Sequence, residues 1–129
     1  MMNGLSAKEV EHLRQLLRAE HAKRRHEVAA ELVRSGDGRH AELAGQVHDH
    51  GDEAVADLLE DLEIAALDRH VHRVRQIEAA LAAIGSGAFG LCRVCGAQIG
   101  SARLEADPAV ERCIDCQTAM EQGRHSPTL

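Results

Sequence analysis

Apolar positions recur along the first quarter of the chain at Val10, Leu13, Leu17, Val28 and Leu32, with Leu16, Ala22 and Ala29 beside them. Steps of three, four and seven residues lay a narrow stripe along an α-helix. Ser6, with Glu9 three residues later, forms a capping-box pattern at the start. Ser35-Gly36-Asp37-Gly38 ends the pattern, because paired glycines break helices. The expected first helix is 6–34, its stripe interrupted by Glu20, His21, Arg24 and Arg25. A second seam runs through Val55, Leu59, Leu62, Ala66, Val74, Ile77, Leu81 and Ile84. Its spacing is that of a coiled coil, weak only near Arg69–Val71. Asp52 suits the N-cap, Glu53 and Asp57 suit the helix dipole, and Gly85-Ser86-Gly87 closes the run. The expected second helix is 52–85. Between the two, residues 35–51 carry Gly36, Gly38, Gly45 and Gly51, with Ala41–Ala44 able to form one turn.

Neither stripe is stable alone in water, and a short connection makes the two helices antiparallel neighbours. Dimerisation through the same seams is the alternative, and a monomer is the expectation. The predicted fold is all-α: a long antiparallel helical hairpin, or coiled coil, over 1–85 with its tip at 35–51. A small four-cysteine knuckle and short C-terminal helix follow over 86–129.

Composition supports a thin molecule. Of 129 residues, one is Phe and none is Tyr or Trp. A thick core uses aromatic rings of ~150–250 Å² each, and sheets favour β-branched and aromatic residues. Alanine and leucine supply most of the apolar residues here, as long helices prefer. Phe89 lies between the second helix and the first cysteine, where it is expected to pack and join hairpin to knuckle.

The net charge of −6 is unevenly distributed. Residues 41–68 carry nine acidic side chains and no Lys or Arg. A single acidic block reads either as a surface for a cationic partner or metal, or as a solvated helix face. No run approaches the ~18 apolar residues of a membrane span. Met1–Lys8 lacks the apolar core of a signal peptide. The expectation is a cytoplasmic protein that meets no membrane.

That compartment bears on Cys92-Arg-Val-Cys95 and Cys113-Ile-Asp-Cys116. Structural disulfides are rare in reducing surroundings. Two CxxC turns supply four soft thiolates, the donor set of a tetrahedral zinc site. A disulfide pair, a rubredoxin-like iron site and a redox dithiol are the other readings of the same spacing. Four protein thiolates leave zinc no open position, so one structural Zn²⁺ is expected, not a catalytic one. The knuckle is near neutral. Arg93, Arg103, Arg112 and Arg124 face Glu105, Asp107, Glu111, Asp115 and Glu121, and only Phe89 could stack on a base. That balance argues against direct nucleic-acid binding. His48/His50 and His70/His72 are two residues apart, a spacing that does not share a helix face; they read as surface histidines. No nucleophile–base set, phosphate loop or HExxH is present, so no enzyme is expected. Asp49 and Asp52 read from spacing alone as capping residues or as a presented acidic pair.

The segment Gly87-Ala-Phe-Gly-Leu-Cys92-Arg-Val-Cys95-Gly, then Ile99, Arg103-Leu-Glu-Ala106-Asp-Pro108 and Cys113-Ile-Asp-Cys116-Gln, resembles the DksA/TraR-type zinc finger. Asp49-x-x-Asp52-x-Ala54 resembles that family's tip. The likeness is strong over 49–118, and the first helix is similar only in character. It implies a bacterial transcription factor that binds RNA polymerase without sequence-specific DNA contact. A helical hairpin would enter the secondary channel and bring Asp49, Asp52 and Ala54 near the active site. The knuckle would brace the hairpin's base. The family's longest members extend further at both ends, so a shorter paralogue is expected. Its best-studied members carry basic side chains for the alarmone ppGpp where this chain has Gln76, Asp107 and Gln117. Weak or absent ppGpp dependence is the corresponding expectation. A zinc-stabilised adaptor that meets another protein through its acidic tip is the competing reading.

Overall fold

The computed structural model describes residues 4–50, 54–60, 62 and 64–124. Its helices are α1 (Ala7–Arg34), α2 (Gly38–Asp49), α3 (Val55–Leu58), α4 (Asp68–Ser86), α5 (Ser101–Ala106) and α6 (Ile114–Arg124), with a 3₁₀ turn at Ala65–Leu67. No strand forms among the described residues. The chain divides into two compact units, Met1–Arg14 with Ala80–Leu129, and Gln15–Ala79.

In the Gln15–Ala79 unit, α1 and α4 run antiparallel as expected. Glu20 meets Arg73, Arg24 meets His70, and Glu27 meets His70, so α1 ascends as α4 descends. The polar interruption of the first stripe is thereby explained. Arg73 clasps Glu20 through Nε at 2.6 Å and Nη2 at 2.8 Å. In the same unit Val28, Leu32, Ala44, Val47, Val55, Ala56, Leu59, Leu67 and Val74 form one buried cluster. Each large member contributes about 1.5–3 kcal/mol on burial.

The structure departs from the sequence reading in two places. Within the expected tip, where the sequence predicts one turn at Ala41–Ala44, Gly38–Asp49 forms the full helix α2. Gly36 takes φ 77°, which reverses the chain. The Asp37 carboxylate then accepts the Arg39 amide at 2.8 Å and caps the new helix. Burial of Ala44 and Val47 in the same cluster as Val28 and Leu32 seats α2 along α1. The Ser35–His40 contact at one end and the Arg25–His48 contact at the other give an antiparallel path. The turn that follows α1 is thus Ser35–Asp37, while Asp49 has travelled back beside the level of Arg25.

The second departure is that the expected helix 52–85 is broken. Among the described residues of this stretch, α3 and the 3₁₀ turn are the helical pieces before Asp68, where the regular helix begins. Leu67, and not Ala66, enters the core. The larger side chain buries more apolar area, and the irregular path lets it point inward.

In the other unit, the Ser6 amide donates to Glu9 Oε1 at 3.0 Å and the Glu9 amide to Ser6 Oγ at 3.1 Å. This reciprocal pair is the expected capping box. Leu5, Val10, Leu13, Ile84, Phe89, Leu104 and Ala109 are buried. Phe89 is 3% exposed, so the single ring is a core residue. The Ala88 amide returns to the Ala83 carbonyl at 3.0 Å, and Gly87 has φ 85°. Together these form the Schellman stop that ends α4.

Candidate metal centre and acidic segment

The two CxxC turns converge. The Sγ atoms of Cys92, Cys95, Cys113 and Cys116 lie within 4.8 Å of one another, and Cys95 and Cys113 are 3.8 Å apart. A tetrahedron with Zn–S bonds of ~2.3 Å has S···S edges of about 3.8 Å. Backbone geometry prepares the sulfurs. The first turn closes through the Gly96 amide to the Cys92 carbonyl at 2.9 Å. The Val94 amide points at Cys92 Sγ, and the Cys116 amide at Cys113 Sγ, each at 3.4 Å. The second pair sits at the start of α6, whose first turn directs N–H groups toward negative charge.

The turns are tied to each other by backbone. The Cys92 amide reaches the Ala97 carbonyl, and the Arg93 amide reaches the Glu111 carbonyl, both at 2.8 Å. Arg93 also pairs with the Glu111 carboxylate at 2.6 Å. Arg103 of α5 donates to the Arg112 carbonyl at 3.0 Å, fixing the approach to Cys113.

The surroundings move two of the thiols in opposite directions. Backbone amides, first that of Cys113 and then those of Cys95 and Val94, pull Cys92 down to about 6. Cys116 is pushed up to about 12 because the sulfurs of Cys113, Cys95 and Cys92 crowd it. Four thiolates so close repel one another, and a divalent cation supplies the missing charge. The donor set fits one structural zinc. All four positions are filled by protein sulfur, so no site for a reactive water remains.

The acidic residues are arranged differently. Asp49 is exposed at the end of α2, and Ala54 is exposed at the start of α3. Asp52 lies outside the described residues. Val55 and Ala56, immediately after Ala54, are buried. Their amides donate to the Glu78 carboxylate of α4, at 2.8 and 3.3 Å. Glu78 also accepts from His21, which is fully buried. Neither Glu78 nor His21 has a sequence signal as a site residue. Only the polar break in the first helix hints that charged partners wait on another helix.

Of the residues matched to the family's basic positions, Gln76 is half-buried on α4. The Asp107 carboxylate accepts the Ala109 amide at 3.1 Å, and Gln117 bonds Glu121 at 3.0 Å. None of the three supplies a positive charge.

Fold and site define a helical protein built around a four-thiolate structural zinc knuckle. Comparison with known proteins narrows that class. The family described as the prokaryotic dksA/traR C4-type zinc finger matches residues 87–122. The chain is 34% identical over 110 residues to the RNA polymerase-binding transcription factor DksA of Escherichia coli, covering 85% of this chain and 70% of that protein. Against the protein of the same name from Haemophilus influenzae it is 40% identical over 73 residues, 57% of this chain and 50% of the relative. Against that of Salmonella typhimurium it is 42% identical over 60 residues, 46% of this chain and 40% of the relative. The chain belongs to the DksA/TraR family.

Proposed function

We propose that this protein is a non-enzymatic transcription regulator that binds RNA polymerase through the secondary channel. Its acidic segment, with Asp49, Asp52 and Ala54, acts near the polymerase active site, and the zinc knuckle braces the base. The observation that carries the reading is the 34% identity spanning 70% of a relative named for polymerase binding. The four-sulfur cluster and the acidic block of 41–68 support it. The exposure of Asp49 and Ala54 leaves both free to meet a partner. The aspartates modulate the partner's active-site elements and carry out no chemistry themselves.

The protein works as a monomer and makes no sequence-specific DNA contact. Its effect depends weakly, or not at all, on ppGpp, because Gln76, Asp107 and Gln117 offer no cation to a pyrophosphate. A ppGpp response on a stringent promoter as large as that of a full-length relative would refute this last point.

The deciding experiment is competition with another secondary-channel factor for purified polymerase. Displacement at micromolar protein is expected, and no binding at that concentration overturns the reading. Asp49→Asn combined with Asp52→Asn should keep binding and lose the effect on transcription. Unchanged regulation by that double variant would return the two aspartates to a capping role. A zinc-stabilised adaptor for another protein predicts no polymerase binding at all.

A further inference from the structure

One side-chain network bonds the backbone of His48 and of Val55 and Ala56, the described residues on either side of the acidic segment. His21 of α1 is its centre and is fully buried. Arg25 Nε–H, which can only donate, lies 3.1 Å from His21 Nδ1. Nδ1 must therefore be the acceptor, and the ring proton sits on Nε2. That proton goes to Glu78 Oε2 at 2.8 Å. The hydrogen-bond pattern fixes the tautomer, so the histidine is a spacer of defined polarity between a cation and a carboxylate.

Each arm of the network grips backbone on one side of the segment. Arg25 Nη1 reaches the His48 carbonyl at 3.5 Å, at the end of α2. Glu78 Oε2 accepts the Val55 amide at 2.8 Å, and Oε1 accepts the Ala56 amide at 3.3 Å. Ala54 offers no side-chain cap to α3, so Glu78 supplies the cap from a different helix. Val55 and Ala56 are 0% and 2% exposed, and buried amides left unpaired are costly. The charged groups facing His21 are thus Arg25 on its own helix and Glu78 on α4, with the two amides of α3 behind Glu78.

We infer that Glu78, oriented by His21 and Arg25, is a positioning residue: the network holds the backbone of His48 on one side and of Val55 and Ala56 on the other, and thereby presents Asp49 and Ala54. The inference rests on the reading of 49–54 as the partner-contact segment. It adds the residues that hold that segment: Glu78 of α4 lies 57 positions from His21 in sequence, and Arg25 is one helical turn from His21 on α1. In the fold they form one chain of hydrogen bonds.

The test uses the zinc-loaded full chain. Amide hydrogen exchange by NMR should show Val55 and Ala56 protected in the wild type. Glu78→Ala should speed both by about tenfold, the effect of losing one buried hydrogen bond, while Val28 in α1 stays protected. Glu78→Gln gives a finer result. Its single carbonyl oxygen can replace Oε2, keeping the Val55 amide bonded, while its NH₂ opposes the Ala56 amide. Ala56 should accelerate and Val55 should not. Unprotected amides in the wild type, or equal rates in wild type and Glu78→Ala, overturn the clamp. In transcription assays Glu78→Ala should bind polymerase normally and lose regulation, as the Asp49/Asp52 double variant does. Lost protection with full regulation overturns the positioning role. If the wild type does not bind polymerase, the positioning role falls with the proposed function, and the amide rates still decide whether the clamp exists.

Discussion

Glu20 and Arg73 show how a residue that spoils a local pattern repairs it at long range. Read along the first helix, Glu20 interrupts an apolar stripe. In the fold its carboxylate receives two charge-assisted bonds from one guanidinium, an arrangement lysine cannot reproduce. The side-chain bond from Arg73 holds the Glu20 carboxyl below its ordinary value of 4.5, against a smaller opposing effect of burial. The sign of the linkage follows. A depressed folded-state value stabilises the native protein above pH 4.5 and loses that contribution as pH falls through the folded-state value. Stability of the Gln15–Ala79 unit should therefore decline on acidification below about pH 4.5. Arg73→Ala should remove that part of the pH dependence and cost about 1 kcal/mol at neutral pH, screening included. Urea unfolding of both proteins at pH 7 and pH 4 measures the difference. Identical pH slopes would mean the pair contributes nothing.

Among the elements, the ends of helices were more legible than their interiors. The Ser6–Glu9 box and the Gly87 stop depend on residues three to five positions apart, and local sequence contains all of that information. Both can be tested. Ser6→Ala should cost about 1 kcal/mol, the usual worth of an N-cap. Gly87→Ala should cost ~1–2 kcal/mol, because φ is 85° and the penalty comes from backbone conformation. Thermal unfolding of each variant reads these values, and a neutral Gly87→Ala would mean the Schellman turn is not populated. The four cysteines were legible for the same reason, since CxxC spacing is itself the local geometry. What was not legible is α2 and the break before α4. Gly36, Gly38 and Gly45 read as breakers, yet only Gly36 has positive φ, while Gly38 and Gly45 lie within α2. The seam Val55, Leu59, Leu62, Ala66 has helical spacing, but the short turns keep only its first part and bury Leu67 in place of Ala66. The cap that starts α3 comes from Glu78, 22 and 23 residues downstream, and no local pattern can report it.

At the scale of the molecule, the two compact units are stabilised by different physics. The Gln15–Ala79 unit buries a contiguous aliphatic cluster from every one of its helices. The other unit has fewer large buried side chains, with Leu5, Val10, Leu13, Ile84, Phe89 and Leu104 as its main apolar content. Around its cysteines the segment from Leu91 to Cys116 buries little beyond Cys92, Leu104, Ala109 and Cys113. Such a segment gains its order from metal binding, which for a four-cysteine site is folding free energy. Removing zinc leaves four thiols that cannot all ionise together, since Cys92 is drawn down to about 6 while Cys116 is pushed up to about 12. The expected outcome of chelation is therefore selective. Amides from Leu91 to Cys116 should lose protection, α5 and the start of α6 should melt, and amides of Val28, Val47 and Val74 should stay protected. Metal analysis before chelation should return one zinc per chain, and adding zinc back should restore the spectrum. Uniform loss of protection across both units would mean that the metal stabilises the whole chain and that the aliphatic cluster alone is not enough to hold its unit.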